Sequence, residues 1–239
     1  MAMQVLQDKN QIDRARQELV AKGASFVSSP MTAFLRRLGL VDGISVGDKV
    51  KSWDVLSILR FIEENVRKDE PILDIGCYAS EAIVALHNLG YTNLAGIDLD
   101  SRVSQMPHGD AIRYQIANFK QTSFENGSFA AITSVSVIEH GFEEQPLLNE
   151  MSRLLRPRGY FIASFDYWPD TIDTRGEKVF GMDWKIFSRQ DIAELVEHAA
   201  AFGLYPVGEL NYEGREATVQ YGAWKYTFGW LALQKKDCL

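Results

Sequence analysis

Asp74, Asp98, Asn118, the pair Glu139–His140, and Asp166 recur at intervals of roughly twenty to twenty-six residues, each closing a short apolar run. Carboxylates and amides accept hydrogen bonds from hydroxyl and amino groups, and each such bond to a charged partner contributes about 1.5–3 kcal/mol. A histidine or aspartate among them can also take a proton from a reacting group. Beside Asp74 stands Gly76, in the stretch ILDIGCYASEAI. There the glycine lets the backbone come close to a ligand.

Alternating elements must position these groups. PILDIG, NLAGIDLD, AIRYQIANF, SFAAITSVSVIE and YFIASF read as five strands. SEAIVALHNLGY and EEQPLLNEMSRLLRPRGY read as helices between them, the second stopped by the Pro157–Gly159 turn. This βαβ rhythm predicts a parallel sheet with helices on both faces. Ser188 with Asp191 three residues on predicts a capping box opening a helix that ends at Gly203. After it, LYPVGELNY and KYTFGWLALQKK leave no room for a crossover helix, so they must pair antiparallel. The expected fold is α/β: a doubly wound, seven-stranded, mostly parallel sheet ending in an antiparallel hairpin. Ahead of it, Asn10 to Lys22 and a run opening at Ser52 (Trp53, Leu56, Leu59, Ile62, Val66) carry helical stripes, with a further short helix at 31–38. Residues 1–70 form a helical extension too poor in core to stand alone, and 71–239 the main domain.

In an open α/β sheet, ligands bind at the carboxyl ends of the strands, where the strand order reverses. All five polar clusters fall there. A formal charge of −7 without a basic stripe argues against a nucleic-acid partner. No apolar run is long enough to span a bilayer, and the polar N-terminus is no signal peptide, so a cytoplasmic protein without a membrane partner is expected. Two cysteines are too few for a disulfide framework or a metal cluster, and no metal ligands are expected.

In order and spacing these pieces resemble the class I S-adenosyl-L-methionine (SAM)-dependent methyltransferases. DIGCYAS resembles the family's D-x-G-x-G-x-G loop after the first strand, and GIDLD ends in the acid that grips the ribose hydroxyls. ANF stands at the adenine position, FENGSFAAITSVSVIEH resembles the run into strand four, and LLRPRGYFIAS the turn into strand five. The resemblance covers about Pro71 to Lys236. It implies SAM as cofactor and a cofactor site made from Asp74, Gly76, Cys77, Tyr78, Asp98, Leu99, Asn118, Phe119 and Ser136. Tyr78 and Ser80 replace glycines of the family loop, and Asn118 replaces its usual acid while keeping an acceptor oxygen. Ser80 can cap the following helix, and Cys77 can simply fill space.

The acid at position 98 also suits a nicotinamide cofactor, so an NAD(P)-dependent oxidoreductase is the alternative enzyme. Tyr78, however, would crowd a pyrophosphate at the helix start. A third alternative is a non-catalytic SAM-binding scaffold with an altered glycine loop. As a methyltransferase, the chain is expected to methylate a small-molecule acceptor (metabolite, sugar or natural-product intermediate), with O-methylation by in-line displacement as the chemistry. His140 and Asp166 are the candidate bases, and the His140 side chain could equally be a polar strand end. Tyr167, Trp168 and Trp184, in a long aromatic and acidic loop after strand five, are candidates for the substrate wall. Phe180 in the same loop is better suited to packing the loop onto the sheet. Most of Trp224, Tyr226, Phe228 and Trp230, alternating along a strand, belong to the core. Oligomeric state is not legible in the sequence.

Overall fold

A computed structural model describes residues 1–27, 38, 40 and 43–237; the helix expected at 31–38 lies outside them, Leu38 excepted. The parallel half of the sheet is β2 (Ile72–Ile75), β3 (Leu94–Asp98), β4 (Ile112–Ile116), β5 (Phe129–Val135) and β6 (Leu155–Tyr167). Their spatial order is β4-β3-β2-β5-β6, so the order reverses between β2 and β5. Asp74 lies opposite Gly96 on β3 and Thr133 on β5. The long final strand β11 (Trp224–Lys235) runs antiparallel to β6, and β9 (Leu204–Pro206) pairs antiparallel with its end.

Among the described residues the sheet has nine strands where seven were expected. The additions are β10 (Val219–Tyr221), in a short hairpin with β11, and β1 (Met3–Val5), which continues the edge that β9 begins. The 1–70 segment therefore contributes a strand as well as helices. Inside the aromatic loop, β7 (Lys178–Val179) and β8 (Met182–Asp183) form a separate two-stranded ribbon. The turn expected at Pro157–Gly159 is built into the start of β6, with Arg158 in the left-handed region at φ +63° and a register shift opposite Phe129–Ala131.

Helices cover both faces, as period-2 strands buried on two sides require. On one face lie α1 (Lys9–Ala21), α2 (Ser52–Asn65) and α3 (Ala82–Asn88), packed on Ile72, Ala131, Ile162, Phe228 and Trp230. On the other lie α4 (Glu144–Leu154) and α5 (Arg189–Ala199), packed on Leu73, Ile75, Ile132, Phe165 and Tyr167. Asp8 caps α1, accepting from the Gln11 N–H. Ser188 and Asp191 form the expected reciprocal box at α5. Ser52, the residue that opens this run and a plausible N-cap by type, is instead its first helical residue: a 3-10 turn at Lys49–Lys51 runs straight into α2, and the Asp48 side chain caps that turn.

Candidate functional site

The site begins where β2 meets the Gly76 turn. Gly76 adopts φ +66°, and a Cβ there would come within 2.3 Å of Val137, so only glycine fits. Its N–H and that of Cys77 both donate to the Ile97 carbonyl, stitching the turn to β3. Ser80 Oγ accepts from the Ala82 N–H at 3.3 Å, helping to start α3. Asp74 is 1% exposed. Its Oδ1 accepts from Thr133 Oγ1 at 2.7 Å and its Oδ2 has no partner. Burial, opposed by the Thr133 bond, pushes its pKa up to about 7.

Asp98 closes β3 with its carboxylate fixed: Oδ2 accepts from Tyr78 N–H at 2.9 Å and Oδ1 from Asp100 N–H at 2.8 Å. A carboxylate has about four acceptor positions, so two remain for a ligand. The Tyr78 ring has the Arg102 guanidinium 4.7 Å from its centroid. Cys77 joins the loop only through its backbone. Its thiol is buried against Gly96, where a Cβ would meet Sγ at 2.6 Å, and burial raises its pKa well above the usual thiol value. Leu99, Asn118 and Phe119 line a cleft of about 320 Å³ together with Lys120, His140 and Gly141, and the β7–β8 ribbon faces them. Asn118 Oδ1 accepts from the Lys120 N–H at 3.0 Å, a local turn that occupies one of its lone pairs.

The second half of the site follows β5 and β6. Ser136 is held at φ +52°, an uncommon conformation for a residue with a Cβ, and its Oγ accepts from Lys51 Nζ at 2.5 Å. Asp166 is 4% exposed. Trp184 Nε1 donates to its Oδ2 at 2.9 Å, while Oδ1 has no hydrogen bond and lies 3.7 Å from Lys51 Nζ. His140 sits at the rim, its Nδ1 buried without a partner, and its pKa is lowered chiefly by burial.

Of the three aromatic residues expected to wall the substrate, Trp184 is buried on Asp166 and Trp168 is half-buried against the α2 face. Tyr167 does not reach the site. Strand alternation turns it to the α4–α5 face, where it is fully buried and its OH donates to the Tyr212 carbonyl at 2.6 Å. Phe180 also differs from expectation: it is 84% exposed at the tip of the β7–β8 ribbon, edge-on to His140 with ring centroids 5.3 Å apart. Tyr226, Phe228 and Trp230 are buried as expected, and Trp224 is half-buried.

Sequence reasoning passed over Lys51 and Asp54 and gave Glu139 no chemical role, yet all three converge here. Asp54 and Glu139 are 0% exposed, and among the described residues none of their four carboxylate oxygens has a partner. The one local trace was an acid inside the apolar run WDVLSIL, which no amphipathic stripe sets apart.

Residues 73–163 match the family described as "Methyltransferase domain". This part of the chain is similar to methyltransferase domains. A curated relative, the eEF1A lysine and N-terminal methyltransferase of Danio rerio, is 28% identical over 131 residues. That match spans 49% of this chain and only 19% of the relative's length. Among solved structures, the geranyl diphosphate C-methyltransferase of Streptomyces coelicolor A3(2), determined with S-adenosyl-L-homocysteine, superposes with a TM-score of 0.58 at 15% identity, covering 84% of this chain and 88% of that one. A putative sarcosine dimethylglycine methyltransferase from Galdieria sulphuraria gives 0.57 at 16%, covering 86% and 97%. The [4+2]-cyclase SpnF gives 0.57 at 14%, covering 82% and 85%. At such identities the likeness is one of fold, and folds host more than one chemistry.

SAM is the cofactor that the resemblance implies, and the residues present fit it. The Gly76 turn leaves no room for a side chain, Asp74 holds an orphaned buried oxygen beside it, and Asp98 keeps acceptor capacity at the next strand end. Among the described residues no group of three or more His, Cys, Asp or Glu side chains is arranged to hold a metal ion. No described helix is long and apolar enough to cross a membrane.

Proposed function

We propose that the chain transfers the methyl group of SAM to a small-molecule acceptor, with a hydroxyl oxygen as the nucleophile. The observation that carries this reading is the run of buried acceptor atoms without partners along three strand ends: Asp74 Oδ2, both Glu139 oxygens and Asp166 Oδ1. Buried polar groups are otherwise almost always satisfied, so their partners are sought among ligands. When bound, SAM supplies a methyl carbon already activated by its sulfonium. Asp98 holds the ribose hydroxyls, Leu99, Asn118 and Phe119 flank adenine, and Asp74, Gly76, the Cys77 and Tyr78 backbone, and Ser136 surround the remainder.

The protein's own contribution is position, dryness and one proton acceptor. Trp184 fixes Asp166 through Oδ2 and leaves Oδ1 to take the hydroxyl proton. His140, kept neutral at neutral pH by its burial, is the second candidate base. Trp168 and Trp184 wall the acceptor, and residues 1–70 shape its specificity through Lys51 and Asp54, while 71–239 carry the transfer. The near-complete burial of Asp166 and Glu139 favours a small acceptor over a folded protein surface. The relatives' names span both kinds, geranyl diphosphate on one side and a protein lysine on the other.

Calorimetric titration tests this reading. SAM and S-adenosylhomocysteine should both bind and NAD should not. Absence of heat from both, on folded protein, would overturn the proposal, and heat from NAD instead would favour the oxidoreductase. Asp98→Ala should weaken SAM binding about 10- to 100-fold with the fold intact, the loss expected for a charged hydrogen-bond acceptor.

A further inference from the structure

Beneath α2, three buried carboxyl groups share one cation. Asp54, on the inner face of α2, and Glu139, after β5, have no hydrogen-bond partner on any oxygen, and Asp166 Oδ1 makes a fifth unpartnered oxygen. Among the described residues, the cation that reaches them is Lys51. Its ammonium donates to Ser136 Oγ, lies 3.7 Å from Asp166 Oδ1 and sits 3.6 Å from the centroid of the Phe228 ring. Two neutral polar atoms on the same face are also orphaned: Ser164 Oγ and Trp230 Nε1, both buried and opposite one another in the β6–β11 register.

Isolated buried carboxylates are expensive, and a group without a counter-ion keeps its proton instead. Asp54 accordingly has its pKa pushed up to about 7, mainly by burial, and Glu139 is raised well above the usual range by burial and by Asp166. The set is short of positive charge. These acids are not gathered as a metal-ligating group, and an aromatic face suits an organic ammonium. Phe228 already carries one, on a lysine that reaches in from the turn before α2 with 25% of its side chain exposed.

We propose that Asp54, Glu139 and the Phe228 ring form the ammonium subsite for the acceptor, which is therefore a small amino alcohol whose protonated amine takes the place of the Lys51 ammonium and leaves Asp166 to its hydroxyl. This rests on the methyl-transfer reading above and adds to it the acceptor's charge. Lys51 acts as an internal occupant that withdraws as the acceptor enters. The incoming ammonium donates directly to Asp54 and Glu139, which Lys51 does not, so these two acids ionise and their protons leave to solvent. The groups facing them are Lys51, His140, Tyr226, Ser164 and one another.

The test uses the full chain saturated with S-adenosylhomocysteine, titrated calorimetrically at pH 7 with 3-amino-1-propanol and with 1,3-propanediol, in phosphate and in HEPES. The amine should bind and the diol should not, and the apparent heat should differ between buffers through proton release. Glu139→Gln and Asp54→Asn should each weaken the amine about tenfold or more, the cost of one favourable charge pair. Lys51→Met should bind it more tightly, because the internal competitor is gone. Equal behaviour of amine and diol, with S-adenosylhomocysteine bound, overturns the ammonium subsite and leaves methyl transfer standing. Failure of S-adenosylhomocysteine to bind removes both. A lysine-bearing peptide that binds far more tightly than the free amine overturns the small-molecule assignment. If the Asp54 variant does not fold, the wild-type comparison and Glu139→Gln decide.

Discussion

On β6, Phe165 and Tyr167 point to the α4–α5 face and Ser164 and Asp166 to the α2 face, and all four are at most 4% exposed. The first pair is finished: Phe165 packs edge-on to Phe187 and Tyr167, and the Tyr167 OH has its carbonyl partner. The second pair is not, since Ser164 Oγ and Asp166 Oδ1 have no hydrogen bond. Burial is the same on both faces and satisfaction differs. A satisfied buried polar group stabilises the fold, while an unsatisfied one costs stability that a ligand can restore. The same strand thus serves the core with one set of side chains and the site with the alternate set.

Paired substitutions can break this comparison. Asp166→Asn should lower turnover by about 10²- to 10⁴-fold, the span of general-base contributions, with little change in unfolding temperature, since the amide keeps an oxygen for Trp184. On the opposite face Leu148→Ala, at a fully buried position, should cost about 2–5 kcal/mol in denaturant unfolding and leave S-adenosylhomocysteine affinity unchanged at low temperature. A larger stability loss for Asp166→Asn than for Leu148→Ala would show that the polar face is structural after all.

A smaller effect should appear in the pH dependence. The folded-state pKa of Asp54 and Asp74 is raised to about 7, above the unfolded value. Each holds its proton longer when folded, so its contribution is complete below about pH 4 and is lost as pH rises towards 7. Between those limits the wild type should lose about 1.4 kcal/mol per pH unit relative to Asp54→Asn, read by denaturant titration at pH 5, 6, 7 and 8. A constant difference across that range would show that Asp54 is ionised throughout. Least of all, Ser188→Ala at the satisfied α5 cap should cost about 1 kcal/mol with no effect on ligand binding.

Much of this architecture was legible because its signals are local. Strands β2 to β6 are apolar runs bounded by turn residues, and the capping box at Ser188 lies within four residues. β1 was not legible: three residues, MQV, owe their strand to Leu231 and its neighbours at the far end of the chain. Asp98 and Gly76 could be chosen as candidates by position, since strand ends at a reversal of order are where ligands bind. Asp54 could not, because its meaning depends on α2 being covered on two sides. α1 and the sheet together bury Trp53, Asp54, Val55 and Leu56 in succession, so no amphipathic stripe sets the acid apart. Tyr167 was misassigned for the converse reason. It follows Asp166 in sequence, but strand alternation sends neighbours to opposite faces.

Amide hydrogen exchange with and without S-adenosylhomocysteine would test most directly whether the unfinished face is the site. The account predicts added protection at 76–80, 98–100 and 117–121, where β2, β3 and β4 end, and none in α4 or α5. Protection confined to the α4–α5 face, or none at the strand ends while the compound binds, would contradict it.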